Sequence, residues 1–133
     1  MNDSARKQFE QAAVARRILI VEDDDDSREM LVELIGMLGH RAMGAPNAND
    51  ALRVAHDEQP DVVLIDIGLP DVSGVDFAKR LRATPNGAHM RLVALTGYSD
   101  SATRQLAAEA GFDDFVVKPF STENLASLLN HQL

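Results

Sequence analysis

The stretch Asp61-Val62-Val63-Leu64-Ile65-Asp66-Ile67-Gly68-Leu69-Pro70 decides the fold of this chain. Val62 to Ile65 are apolar without a break and mostly β-branched, the pattern of a strand buried on both faces. Asp66 stands where that strand emerges, and Gly68 and Pro70 turn the chain away directly afterwards. A carboxylate at a buried strand end costs free energy unless something compensates it. Alone, Asp66 would read as a turn cap. Other apolar runs in the chain also end on polar residues, and that gives it a different meaning.

Upstream, Arg17-Ile18-Leu19-Ile20-Val21 predicts a first strand that runs into Glu22-Asp23-Asp24-Asp25-Asp26. Leu31, Leu34, Ile35 and Leu38 recur at helical spacing, with Gly39 as the C-cap. His40 to Ala45 is a shorter second strand. Pro46-Asn47 opens a helix to about His56, with Ala51, Leu52 and Ala55 inward. Downstream, a loop reaches Gly74, and the next helix carries Val75, Ala78 and Leu81. Thr84-Pro85-Asn86-Gly87 is a loop by its turn residues. Arg91 to Leu95 is a fourth strand ending at Thr96-Gly97. Ser99 or Asp100 is expected to cap a helix that buries Ala102, Leu106 and Ala110 and stops at Gly111. Phe115-Val116-Val117 is a fifth strand ending at Lys118-Pro119, an X-Pro bond that could be cis and aim the lysine inward. Ser121 introduces a last helix with Leu125, Leu128 and Leu129 inward. Residues 1–16, polar and Ala-rich, read as an extension or linker, and residues 17–133 as the domain.

Strands that alternate with helices at intervals of roughly twenty residues call for a parallel sheet covered on both faces. The expected fold is α/β: a doubly wound, flavodoxin-like, five-stranded parallel sheet in the order 2-1-3-4-5, with five helices. Its switch point falls between strands 1 and 3. At 133 residues the chain has one domain's length, and 45% hydrophobic with 26% charged residues is the composition of a globular protein. Neither a membrane-spanning run nor a signal peptide is legible, and the lack of cysteine fits a cytoplasmic location. Four scattered histidines argue against zinc, and a net charge of -8 against direct nucleic-acid binding. Proteins and metal cations are the expected partners.

In a parallel sheet every strand delivers its C-terminal end to one edge, and ligands bind there at the switch point. That edge receives Glu22 and Asp23 from strand 1, Asp66 from strand 3, Thr96 from strand 4 and Lys118 from strand 5. Two carboxylates about 4 Å apart repel by about 4 kcal/mol at an effective dielectric near 20. A divalent cation relieves that repulsion, and an all-oxygen set with few protein donors suits Mg²⁺. Asp24, Asp25 and Asp26 read instead as a solvated cap on the following helix. The remaining parts suit a phosphoryl group on Asp66, with Lys118 as a point charge and the Thr96 hydroxyl as a donor.

Val21-Glu22-Asp23-Asp24, Leu64-Ile65-Asp66-Ile67-Gly68-Leu69-Pro70, Leu95-Thr96-Gly97 and Val117-Lys118-Pro119-Phe120 occur in this order on these strand ends. From about Arg17 to Leu129 the chain resembles the receiver domain of two-component response regulators. The resemblance implies that Asp66 accepts a phosphoryl group from a histidine kinase or a histidine phosphotransfer protein. It implies Mg²⁺ held directly by Asp23, through water by Glu22, and by Asp66 and the backbone carbonyl of Gly68. Thr96 and Lys118 would contact the phosphoryl oxygens, and Phe115 falls at the aromatic switch position coupled to Thr96. Glu22 stands where Asp is commoner. Gly68, Tyr98 and the run Leu95-Thr96-Gly97-Tyr98 resemble receivers attached to hybrid sensor kinases.

Two other readings compete with this one. A haloacid-dehalogenase-type phosphatase needs a second Asp two residues after the first, and that position is Gly68. A phosphorylation-independent receiver-like module would lack an acidic residue or the lysine, and this chain has the full set. The expectation is a non-enzymatic switch. No output segment follows Leu133 in this sequence, so output is expected through contact with a protein effector or on another chain, and a second copy, in a homodimer, is a further candidate partner.

Overall fold

A computed structural model describes residues 15–67, 73–97, 101–119 and 121–130. Most of the expected N-terminal extension, and the positions of Gly68, Pro70, Tyr98, Ser99, Asp100 and Phe120, lie outside the described residues. The elements follow the expected alternation: β1 (Arg17–Val21), α1 (Asp25–Met37), β2 (Arg41–Ala45), α2 (Ala48–Glu58), β3 (Val62–Asp66), α3 (Gly74–Arg82), β4 (Arg91–Thr96), α4 (Ser101–Glu109), β5 (Asp114–Val117) and α5 (Thr122–Asn130). The strands form one parallel sheet in the order β2-β1-β3-β4-β5. This is the doubly wound topology that the sequence predicts.

Side-chain alternation along the strands divides the core into two layers. Leu19, Val21, Val63, Ile65, Leu92 and Ala94 face one side and are covered by α2, α3 and α4. Ile18, Ile20, Val62, Leu64, Val93 and Leu95 face the other, under Leu31 and Ile35 of α1 and Leu125 and Leu129 of α5. The apolar stretch at 62–65 is thus buried on both faces.

The helix ends follow local chemistry. Asp24 and Asn47 cap α1 and α2 by accepting the backbone N–H of Ser27 and Asp50. After α1, Gly39 adopts φ 95°, Gly39 N–H donates to the Gly36 carbonyl and His40 N–H to that of Ile35. Those two bonds make a Schellman stop, with the glycine one residue beyond the cap at Leu38. Gly111 ends α4 in the same way, at φ 98°.

In α4 the inward face differs from expectation. Ala110, just past the helix, is buried as expected and Ala107 with it, whereas Ala102 is exposed and Leu106 is 54% exposed. A large apolar residue marks a helix face only when nothing smaller fits better. Here the alanines bring the helix close to the sheet, and Leu106, one residue away from Ala107, is turned outward.

Candidate functional site: an acidic centre at the sheet switch point

The strand register builds the site. Val21 lies beside Ile65, so Glu22 emerges abreast of Asp66. Asp66 pairs with Leu95, so Thr96 emerges one residue further along, and Thr96 pairs with Val117, which sets Lys118 next in line. The Lys118 N–H donates to the Thr96 carbonyl at 2.7 Å, and the Lys118–Pro119 peptide is cis. The Lys118 ammonium crosses back over the edge and donates to Glu22 Oε1 at 3.1 Å and to Asp66 Oδ2 at 3.2 Å.

Glu22, Asp23 and Asp66 each offer a carboxylate oxygen, and these oxygens lie within 4.8 Å of one another. Glu22 is only 3% exposed, and its Oε2 is buried without a hydrogen-bond donor among the described residues. Burial, then the neighbouring Asp66, lifts the Glu22 carboxyl to about 7 in spite of Lys118. With both carboxyls ionised Oε2 has no donor, whereas a proton on Glu22 can be shared with Asp66. Lys118 feels the opposite balance: burial disfavours its charge, but Glu22 and Asp66 more than offset this and hold it above the ordinary lysine value. One cation faces a surplus of carboxylates. A buried oxygen without a donor, in an all-oxygen cluster, is what a hard divalent ion completes, so these residues fit Mg²⁺.

The structure brings Glu22, Asp23, Asp66 and Lys118 together, as the sequence predicts. Thr96 is buried at the adjoining strand end. Phe115 on β5 pairs with Ala94 of β4 and is half-buried, with the Arg104 guanidinium 5.2 Å from its ring centroid. The expected Gly68 carbonyl ligand lies outside the described residues. Sequence reasoning missed the direct Lys118–Glu22 pair, which joins segments distant in sequence, and the Arg104–Phe115 contact, which depends on how α4 packs beside β5. A separate apolar cavity of about 140 Å³, lined by Leu52, Ala55, Leu81 and Met90 among others, lies between α2, α3 and the start of β4, and no carboxylate lines it.

Two expected results arise here. Gly74, the first residue of α3, sits against the end of β3, and a Cβ there would come within 2.6 Å of Ile67 Cα and 2.7 Å of the Asp66 carbonyl oxygen. Gly74→Ala should therefore push α3 off the strand end and cost about 2 kcal/mol in chemical denaturation. A wild-type midpoint would show that the junction yields freely.

The second concerns pH. In metal-free protein the folded chain holds the Glu22 proton up to about pH 7, the unfolded chain only to about 4.5. The folded state binds more protons across that window. Its extra stability is complete below about 4.5 and is lost as pH rises to about 7. His40 works the other way. Burial first, and the charge of Arg16, hold it below the ordinary histidine value, so its share is lost as pH falls through that lowered value. Urea denaturation in EDTA should thus show wild type losing stability relative to Glu22→Gln from pH 4.5 to 7. A constant difference would mean that Glu22 ionises as an ordinary carboxylate.

The fold and the site together define a class: a flavodoxin-like domain with an acidic centre at its switch point, closed by a lysine from the end of the last strand. The chain belongs to the response regulator receiver domain family, whose model matches residues 18–130. It is 34% identical over 116 residues to the phosphate regulon transcriptional regulatory protein PhoB of Pseudomonas aeruginosa, covering 87% of this chain and 51% of that protein. Its structure is similar to that of the chemotaxis protein CheY4 of Vibrio cholerae, with TM-score 0.86, 25% identity and coverage of 90% of this chain and 100% of that one. It is also similar to the receiver domain of sensor histidine kinase PA1611 from Pseudomonas aeruginosa PAO1, solved with a magnesium ion coordinated in its active-site cleft. There the TM-score is 0.80 at 28% identity, over 87% of this chain and 95% of that one. The chain spans about half the length of PhoB. Among the described residues no helix is long and apolar enough to cross a membrane.

Proposed function

We propose that Asp66 is the phosphoacceptor of this receiver domain and that the charge it gains switches a protein-binding face. The observation that carries the reading is Lys118, whose ammonium bonds both Glu22 and Asp66 beside an undonated buried oxygen. The donor is a phosphohistidine on a histidine kinase or a histidine phosphotransfer protein, and the chain acts as a cytoplasmic switch with no enzymatic turnover of its own. An Asp66 carboxylate oxygen attacks phosphorus, the P–N bond of the phosphohistidine breaks, and its electron pair leaves with the imidazole nitrogen. Glu22, Asp23 and Asp66 are the residues that would hold Mg²⁺, with Gly68 contributing its carbonyl. When bound, the ion neutralises the clustered carboxylates and the charge on the phosphoryl oxygens. Lys118 exchanges a carboxylate partner for a phosphoryl oxygen, and the Thr96 hydroxyl donates to another.

The message then passes along β4 and β5. Thr96 drawn toward the phosphoryl group vacates space beside β5, and Phe115, which has no hydroxyl to desolvate, can turn into it at small cost. The face made by α4, β5 and α5 is the two-state element. Adding beryllofluoride with Mg²⁺ tests this directly. Amide chemical shifts should move at Thr96, Phe115 and residues 100–110 as well as near Asp66. Shifts confined to the acidic centre would overturn the switch, and no binding at all would overturn the site.

A further inference from the structure

Arg28 is a half-buried cation that the phosphoryl chemistry leaves unused. It lies on the first turn of α1 with its side chain 17% exposed. Its Nη1 donates to the backbone carbonyl of Glu22 at 2.9 Å, and its Nη2 donates to Asp25 Oδ1. The other side of the Glu22 main chain is held too, since Glu22 N–H donates to the Ala45 carbonyl at 3.1 Å. The peptide that Arg28 grips joins Glu22 to Asp23, so its orientation fixes the outset of both side chains at the acidic centre.

The arginine stem has a seat prepared for it. Gly44 on β2 lies beneath it, and a Cβ at that position would come within 3.0 Å of both Arg28 Cγ and Cδ. A methyl group there forces the stem to shift, and the guanidinium moves with it. Gly44 is otherwise a costly choice in a strand interior, where glycine lacks packing surface and loses the most backbone entropy. The glycine on β2 and the arginine on α1 fit each other, although neither belongs to the carboxylate cluster.

We propose that Arg28, seated on Gly44, is a positioning residue for the acidic centre: through the Glu22 carbonyl it holds Glu22 and Asp23 in the orientation that binds Mg²⁺. The inference rests on the metal reading above and adds to it a requirement that the cluster alone does not impose. Partners that orient ligands in this way typically change metal affinity by about 10–100-fold when removed.

Calorimetric titration with MgCl₂ tests the idea in the wild type, Arg28→Ala, Arg28→Lys, Gly44→Ala and the Arg28→Ala/Gly44→Ala double variant, with Tm recorded for each. Arg28→Ala should weaken Mg²⁺ binding about tenfold, and Arg28→Lys, which keeps one donor, should recover most of it. Gly44→Ala should leave Tm equal or higher, because alanine suits a strand better, yet weaken Mg²⁺ about threefold. In the Arg28→Ala background the same substitution should have no further effect on the ion. Affinity loss without loss of Tm is a signature that a purely structural role does not produce. Wild-type affinity in either single alanine variant, or an equal effect of Gly44→Ala in both backgrounds, overturns the proposal. If Arg28→Ala fails to fold, Gly44→Ala and Arg28→Lys decide the matter alone. A wild type that binds no Mg²⁺ overturns the metal reading itself and the role of Arg28 with it, an outcome distinct from failure of Arg28 alone.

Discussion

Incubated with acetyl phosphate and Mg²⁺, the wild-type chain should gain one phosphoryl group and Asp66→Asn none. The carboxylate oxygen of Asp66 forms the new P–O bond while the bond from phosphorus to acetate breaks, and an amide at that position is not a competent nucleophile. The substitution is nearly isosteric, and Lys118 keeps its bond to Glu22, so the variant should stay folded. Removing a charge from a cluster that has more carboxylates than cations relieves repulsion rather than exposing an unpaired group. The effect on labelling is therefore expected to be complete, with little change in urea midpoint. Intact-mass measurement reads it directly. A phosphorylated Asp66→Asn chain would place the acceptor elsewhere, with Asp23 the first position to examine.

The second large effect is expected at Asp23. Unlike Glu22, its side chain is exposed, and it offers an oxygen to the cluster without being held by Lys118. A metal ligand of this kind contributes charge and coordination to the ion and little to the core. Asp23→Asn should weaken Mg²⁺ on the order of a hundredfold, because an amide oxygen replaces an anionic one in a small, hard-ion site. Metal-free stability should be unchanged or slightly raised, since like-charge repulsion falls. The two observables together separate a ligand from a structural residue. Unchanged Mg²⁺ affinity would falsify the ligand role even if labelling slowed. Phosphorylation by acetyl phosphate should fall in parallel and recover partly at high Mg²⁺ concentration, which distinguishes weakened ion binding from damage to Asp66.

Much of this was legible in the sequence. Short apolar runs that end on polar residues, alternating with helical periodicity, dictate a parallel sheet, and a parallel sheet delivers all its C-terminal strand ends to one edge. Glu22, Asp23, Asp66, Thr96 and Lys118 could thus be placed on a common edge before any coordinates, because each lies at a strand end and the fold supplies the rest. The helix stops at Gly39 and Gly111 were also legible, since a left-handed residue after a helix is a local requirement. Tertiary structure decided what depends on distances between remote segments. Lys118 reaches across 96 residues of sequence to Glu22 and 52 to Asp66, and no spacing rule states which carboxylate it would hold. The lift in the Glu22 carboxyl comes chiefly from burial, which strand periodicity assigns to a face but cannot measure for a residue just beyond the strand. In α4 the sequence favoured Ala102 and Leu106 beside Ala110, whereas packing kept Ala110 and chose Ala107, because close approach to the sheet rewards small side chains. The fit of Arg28 to Gly44, likewise, exists only where α1 crosses β2, and there the Arg28 stem fills the space that a Cβ at position 44 would need.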